Sequence, residues 1–244
     1  MRRFQVGLVA LLSSVALAEQ GGAASGGQMT SVLSGKALGS GMVVHGQAGW
    51  PGLSVSLLTA AGGGPLDLGG RFSVVYAYEG ITQTAGVPGL KLQGVLRLQL
   101  LDRGRFNLGL RFSPGVFVAF FPGDLELGMP LPVDLALGIA VTPKLMVNFG
   151  VDVPAFLAFG PYGGLAVPLL LGGGVEFAID RQLAITVNLR AGPSVPLTGS
   201  GYAFPYWTGY WCLNPANGRV VQCGPLYSSR IVALEGLFGV SYRL

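Results

Sequence analysis

Between residues 90 and 100 the chain reads LKLQGVLRLQL. Leu90, Leu92, Leu96, Leu98 and Leu100 share one parity; Lys91, Gln93, Val95, Arg97 and Gln99 share the other, and only Gly94 interrupts the apolar set. A period of two lines those leucines along one face of a strand, whereas a helical period would scatter them around an axis. The same split recurs in RFSVVYAYE (71–79), RFNLGLRFSPGVFVAF (105–120), LPVDLALGIAV (131–141), LMVNFGVDV (145–153), VEFAID (175–180), LAITVNLRAG (183–192) and LEGLFGVSYRL (234–244). SVSLLT (54–59) and GMVVHGQAG (41–49) are further strands, the first hairpin carrying the weakest pattern. The chain is all-β.

Composition decides what surrounds these strands. Half of the residues are hydrophobic and 11% are charged, against roughly 25% charged in soluble domains. Such a chain cannot supply the charged coat that a water-soluble fold of this size needs. Beyond residue 18 no run of 18 apolar residues occurs, and the most apolar stretch, LAVPLLLGGGV (165–175), is too short and glycine-rich for a spanning helix. A membrane-like composition without such helices leaves the closed β-barrel. At the start, MRR is followed by the apolar VGLVALLSSVALA, with Ala16-Leu17-Ala18 offering small residues for cleavage, so residues 1–18 are expected to be a signal peptide. Residues 19–38, rich in Gly, Ser and Ala, are expected to form a flexible periplasmic lead-in, and residues 39–244 the barrel. Without Arg2 and Arg3 the chain has 13 basic against 11 acidic residues, which gives no nucleic-acid footprint.

The connections alternate in length. LDRGR (101–105), TPK (142–144) and DRQ (180–182) are tight; GITQTAGVPG (80–89), FPGDLELGMP (121–130), GPYGGLAVP (160–168) and residues 197–228 are long. Short turns at one end and long loops at the other describe an up-and-down transmembrane barrel. Parity from the C-terminal strand backwards gives about ten strands, eight and twelve being the alternatives. A lipocalin-like soluble barrel is disfavoured, because the non-apolar parity is mostly Gly, Ala, Ser and Asn. Aromatics near strand ends (Tyr76, Tyr78, Phe106, Phe120, Tyr242) suit interfacial girdles. With these features the chain resembles small bacterial outer-membrane β-barrel proteins over most of its length. Their C-terminal assembly signal is matched by Gly239, Tyr242 and Leu244, with Leu237 where a polar residue is usual. The resemblance implies a location in the outer membrane of a Gram-negative bacterium, with membrane lipid and the barrel-assembly machinery as partners and a monomeric state.

If the apolar parity faces lipid, the other faces the lumen. Its ionisable members are Lys91, Arg97, Arg105, Arg111 and Arg190 with Glu79, Asp134, Asp152, Glu176 and Glu235. Their near balance of sign implies paired charges that plug a narrow interior, with Arg97 or Arg111 expected to pair with Asp134 or Asp152. A constricted channel for small solutes is the alternative. Cys212 and Cys223, the two cysteines, are expected to form a disulfide in an exported chain, worth roughly 3 kcal/mol by loop closure. The same long loop carries Tyr202, Phe204, Tyr206, Trp207, Tyr210 and Trp211. Of these, Tyr206, Trp207, Tyr210 and Trp211 are candidates for binding an extracellular glycan, lipid or protein, since amphipathic rings suit partly wet contacts. Nucleic-acid stacking is not expected, with Arg219 the only basic residue from 202 to 223. His45, the single histidine, stands near Ser54 and Ser56 in sequence, but no catalytic, metal or cofactor constellation forms around it. The chain is not expected to be an enzyme. Membrane-extracted protein should run faster on a gel unheated than boiled; identical migration would speak against a barrel.

Overall fold

The computed structural model describes residues 34–50, 52–75, 89–121, 124–159, 164–196, 211–213, 220–222 and 231–244. Its strands are β1 (Met42–Trp50), β2 (Gly52–Ala60), β3 (Leu66–Val75), β4 (Gly89–Arg103), β5 (Phe106–Phe112), β6 (Gly115–Phe121), β7 (Asp124–Ala140), β8 (Leu145–Phe159), β9 (Gly164–Pro168), β10 (Leu170–Ala178), β11 (Leu183–Pro196), β12 (Trp211–Leu213), β13 (Val220–Gln222) and β14 (Ile231–Arg243). Twelve of them form one antiparallel sheet in which β14 pairs with both β11 and β1 and so closes the ring. β5 and β6 lie end to end between β4 and β7, and β9 and β10 do the same between β8 and β11. The result is a closed up-and-down barrel of ten staves, and β12 with β13 makes a separate small hairpin in the long loop.

Proline explains the two broken staves. Pro114 and Pro168 have no N–H to give to the ladder, so regular pairing stops beside them. Their neighbours keep the wall intact: Gly94 N donates to the Pro114 carbonyl at 2.8 Å, and Leu169 N to the Pro193 carbonyl at 2.9 Å. The run 105–120, which reads as one strand in sequence, is therefore two.

The start of β1, the end of β14 and the turns 61–65, 104–105, 141–144 and 179–182 gather at one mouth; the strand ends that flank residues 76–88 and 197–230 lie at the other. We call these the turn end and the loop end. Gly104, at φ +59°, makes the two-residue turn from β4 to β5 feasible. In the 179–182 turn the Asp180 carboxylate accepts from Gln182 N at 2.7 Å and Leu183 N at 2.8 Å, and those two donors hold its pKa below the usual carboxylate range.

Every stave shows the same inversion. Large apolar side chains such as Leu92, Leu96, Val116, Leu135, Phe149, Leu171, Leu189 and Phe238 are exposed on the outside. Gln93, Arg97, Asn107, Asp134, Asn148, Asp152, Thr186, Asn188 and Ser241 are buried inside. A soluble barrel has these faces reversed; a polar interior under an apolar band is the architecture of an outer-membrane barrel. Among the described residues no helix is long and apolar enough to cross a membrane.

Three sequence expectations change. FPGDLELGMP and GPYGGLAVP, expected as long loops, are largely strand: β7 begins at Asp124 and β9 covers Gly164–Pro168. Antiparallel pairing continues past the span that alternation marks, because the ladder does not need an apolar face. Arg105 does not enter the lumen. β5 begins only at Phe106, so Arg105 sits exposed in the Gly104 turn, its carbonyl accepting from Ala140 N at 2.8 Å. Within the expected lead-in, Ser34–Leu38 is not a solvated tail; Ser34, Ala37 and Leu38 are buried inside the barrel. Residues 1–33, including the expected signal peptide, and Glu79 lie outside the described residues.

The wall makes a direct prediction. Leu96→Arg, midway along β4 on the outer face, should destabilise the barrel by about 2–4 kcal/mol in denaturant unfolding from liposomes. A change below about 0.5 kcal/mol would put that face in water instead.

Candidate functional site: the charged lumen

The lumen is organised by register. Asp67 on β3 stands opposite Arg97 on β4, Arg97 opposite Arg111 on β5, Arg111 opposite Asp134 on β7, and Asp134 opposite Asp152 on β8. These five make a belt of adjacent inward positions around half the barrel. Like charges directly across a ladder repel, and the belt contains two such pairs, Arg97 beside Arg111 and Asp134 beside Asp152. Each is relieved by an opposite charge on its far side. Arg97 Nη2 lies 2.8 Å from Asp67 Oδ2, with the two side chains 1% and 0% exposed. Arg111 holds Asp134 in a two-nitrogen grip, Nε at 2.7 Å and Nη2 at 2.6 Å from Oδ2. The two aspartates are bridged by Arg190, which reaches over from β11: its Nη1 donates to Asp134 Oδ1 at 3.0 Å and to Asp152 Oδ2. Arg190 stands opposite Glu235 on β14, and its Nε is 4.0 Å from that carboxylate.

Counting inward, the described residues give Arg71, Lys91, Arg97, Arg111 and Arg190 against Asp67, Asp134, Asp152, Glu176 and Glu235. These ten residues come to five of each sign, and Lys36 on the crossing segment and Arg243 on β14 add positive charge near the turn end. The balance among the ten matters because a charge enclosed here is screened by neither salt nor bulk water, and only a well-placed counter-charge compensates its lost hydration. Lys91 and Glu176 are buried on β4 and β10, Glu176 opposite Thr186.

The N-terminal segment crosses this interior near the turn end. Leu38 N donates to both oxygens of Asp67, at 3.2 and 3.1 Å, so one carboxylate serves Arg97 and the crossing segment together. Ala37 N donates to Gln99 Oε1 at 2.7 Å, and Arg97 Nη1 donates to the Ser34 carbonyl at 3.3 Å. On the far wall the Ser34 hydroxyl lies 3.5 Å from Met146 Sδ. Gly35 packs so closely on the β5 backbone that a Cβ on it would come within 2.7 Å of Gly109 N. From β14, Arg243 Nη2 donates to the Leu38 and Ser40 carbonyls at 3.4 and 2.8 Å. The segment is a crossbar tied to several walls.

Between belt and loop end lies a cavity of about 80 Å³, lined by charged and polar groups and by Pro130, Pro132 and Pro154. A smaller one, about 20 Å³, sits between the crossbar and the β7–β11 wall. His45 is fully buried elsewhere; it stands directly opposite Ser56 on the β1–β2 ladder, but its Nδ1 is 2.6 Å from Ser241 Oγ. Ser56 instead receives Arg71 Nε at 3.0 Å. A histidine touching a serine can serve as base and nucleophile, but both side chains are 0% exposed and line neither cavity, so the contact is a wall hydrogen bond. Among the described residues no group of His, Cys, Asp and Glu could hold a metal ion.

The sequence reading missed Asp67 and Arg71. Asp67 lies in LDLGG, just before the run that alternation marked, although Leu66 and Leu68 flank it at strand spacing. Arg71 shares the inward parity of Ser73 in RFSVVYAYE but is not among the ionisable residues that the sequence analysis assigns to the lumen. The Gly239 of the assembly motif faces inward, and a Cβ there would stand 2.6 Å from Thr186 Oγ1 and 2.9 Å from Gly46 O. Tyr242 and Leu244 face outward, and Leu244 N still donates to Met42 O at 2.9 Å. Trp211 and Cys212 begin the β12–β13 hairpin; Tyr206, Trp207, Tyr210 and Cys223 lie outside the described residues, as does half of the expected disulfide.

Among solved structures the chain is similar to OmpT (in-vitro folded), an outer membrane protein of Vibrio cholerae, at 12% identity and a TM-score of 0.36, over 84% of this chain and 61% of that one. The chain thus spans less than two thirds of that protein's length. No protein-family model and no curated protein matches the sequence.

Removing one partner of a buried ion pair typically costs 3–5 kcal/mol. Arg111→Met and Asp134→Asn should each destabilise by about that much, with Asp134→Asn the worse because it weakens the hold on Arg190 as well, leaving it Asp152 and Glu235. A double-mutant cycle in denaturant should give a coupling of at least about 1 kcal/mol; additive effects would mean that the pair does not act as one.

Proposed function

We propose that this chain is an integral outer-membrane barrel of a Gram-negative bacterium whose lumen is held closed, and whose role is structural or in surface binding instead of solute passage. The observation that carries this reading is the combination of belt and crossbar. The belt ties β11 to β7 and β8 across the lumen through Arg190, and the crossbar occupies much of the section beneath it. A barrel of about ten staves has little room beyond its own side chains, and the cavity of about 80 Å³ lies on the loop side of the belt. Contacts with the outside would then be made by the long loops, with Tyr206, Trp207, Tyr210 and Trp211 as the amphipathic surface for a glycan, lipid or protein partner. A Cys212–Cys223 cystine would tie that loop. Membrane lipid, the barrel-assembly machinery reading Gly239, Tyr242 and Leu244, and a monomeric state complete the proposal.

Liposome swelling and single-channel recording test it. Wild-type protein should pass neither sugars nor ions in discrete steps. Asp67→Ala, which frees Leu38 N and Arg97 together, should raise ion conductance. Conductance in the wild type that falls when Arg97 or Arg111 is changed would establish the narrow-channel reading in its place. Trp207→Ala with Trp211→Ala should abolish partner attachment without altering either measurement.

A further inference from the structure

The cavity above the belt has walls of different chemistry. One wall of it presents donors. Gln47, Ser54, Ser73 and Lys91 occupy successive cross-strand positions on β1 to β4, and Arg71 opposite Gln93 forms the next row inward. Two of these donors end in the cavity without a partner. Gln47 is 6% exposed; its Oε1 takes the Ser54 hydroxyl at 3.4 Å while its Nε2 has none. Arg71 spends Nε on Ser56, and its Nη2 is buried without a partner. Buried donors in folded proteins are almost always paired, so two in one cavity mark a place where a solute or ordered water accepts.

Charge points the same way. Arg71, Lys91, Arg111 and Arg190 line the cavity against Asp134, Asp152 and Glu235, four cationic groups to three carboxylates. Arg111 and Arg190 are engaged by Asp134 and Asp152, while Arg71 and Lys91 bring two further cationic groups to the β3–β4 side of the cavity, with Glu235 as the third carboxylate. The facing wall contributes one unused acceptor, Asp152 Oδ1, and the apolar rings of Pro130, Pro132 and Pro154. An occupant that satisfies all of these carries an oxyanion at one end, a hydroxyl or amino donor at the other, and a short hydrocarbon between. At about 80 Å³ the space suits a solute of a few heavy atoms or several waters.

We propose that the loop-side lumen is a binding site for a small hydroxy- or amino-carboxylate, its carboxylate held by Gln47 Nε2 and Arg71 Nη2 and its donor directed at Asp152. This goes beyond the closed-lumen reading and does not depend on it, since a site on the loop side works whether or not the turn end conducts.

Saturation-transfer NMR on full-length protein in lipid-free detergent micelles tests the site, with glycolate as probe and neutral glycolamide as its uncharged match. Glycolate should give a saturable signal and glycolamide none. Gln47→Glu puts a carboxylate where the oxyanion would sit and supplies Arg71 with a partner; it should weaken glycolate by about tenfold or more while keeping heat-modifiable migration. Arg71→Gln should act in the same direction, and if it does not fold, Gln47→Glu alone decides. Absence of glycolate binding, equal binding of glycolamide, or unchanged affinity in folded Gln47→Glu would each overturn the assignment.

Discussion

The ladder between β1 and β14 is what the rest of this molecule depends on. Without it the sheet would carry two open edges, each a row of N–H and C=O groups facing hydrocarbon, where no water can satisfy them. Val43 pairs with Arg243 and Trp50 with Gly236, so the seam runs the full length of β1. The final residue takes part through its own N–H. Closure also creates the inside. Only once the ring is shut does the inward parity become an interior, and only then do its charged side chains face each other instead of solvent.

That interior solves a problem which ordinary cores never meet. Its residues are polar because the outside had to be apolar, and alternation gives each stave one face of each kind. The solution is local first and global second. Asp67 with Arg97 and Arg111 with Asp134 are cross-strand neighbours. Arg190 then settles the two adjacent aspartates from another stave, and Asp67 takes on the backbone of Leu38 in addition to its arginine. Low dielectric makes each of these contacts strong and the loss of any one partner severe.

Alternation made much of this legible. Parity in residues 90–100 and 131–141 separates lipid-facing leucines from Arg97 and Asp134, and it does so because the side-chain period of a strand is two. The closed ten-stave architecture follows from that pattern together with the shortage of charge. Register is another matter. Which inward residue stands opposite which depends on turn lengths and on the stagger of the closed sheet, so Asp67 as the partner of Arg97 could not be read from spacing. Arg105 shows the limit in one residue: parity points it inward, but the strand starts one position later. The crossbar escaped for a different reason. Ser34–Leu38 is hydrogen-bonded mainly through its backbone N–H and C=O groups, and its side-chain contacts, Leu38 against Val43, Leu58 and Val95 and Ser34 against Met146, follow no period that alternation could mark. In the same way the Gly35–Gly109 approach shows only as two glycines among 41.

A ring of hydrogen-bonded staves has a fixed perimeter and no fixed outline. It can flatten from a circle to an ellipse with every ladder bond kept, as a hoop deforms without stretching. Two chords prevent that here: Arg190 spans from β11 to β7 and β8, and Ser34–Leu38 spans from β3, β4 and β14 towards β8. Together they brace the barrel as diagonals brace a frame, so that the position of one wall dictates the position of the wall opposite.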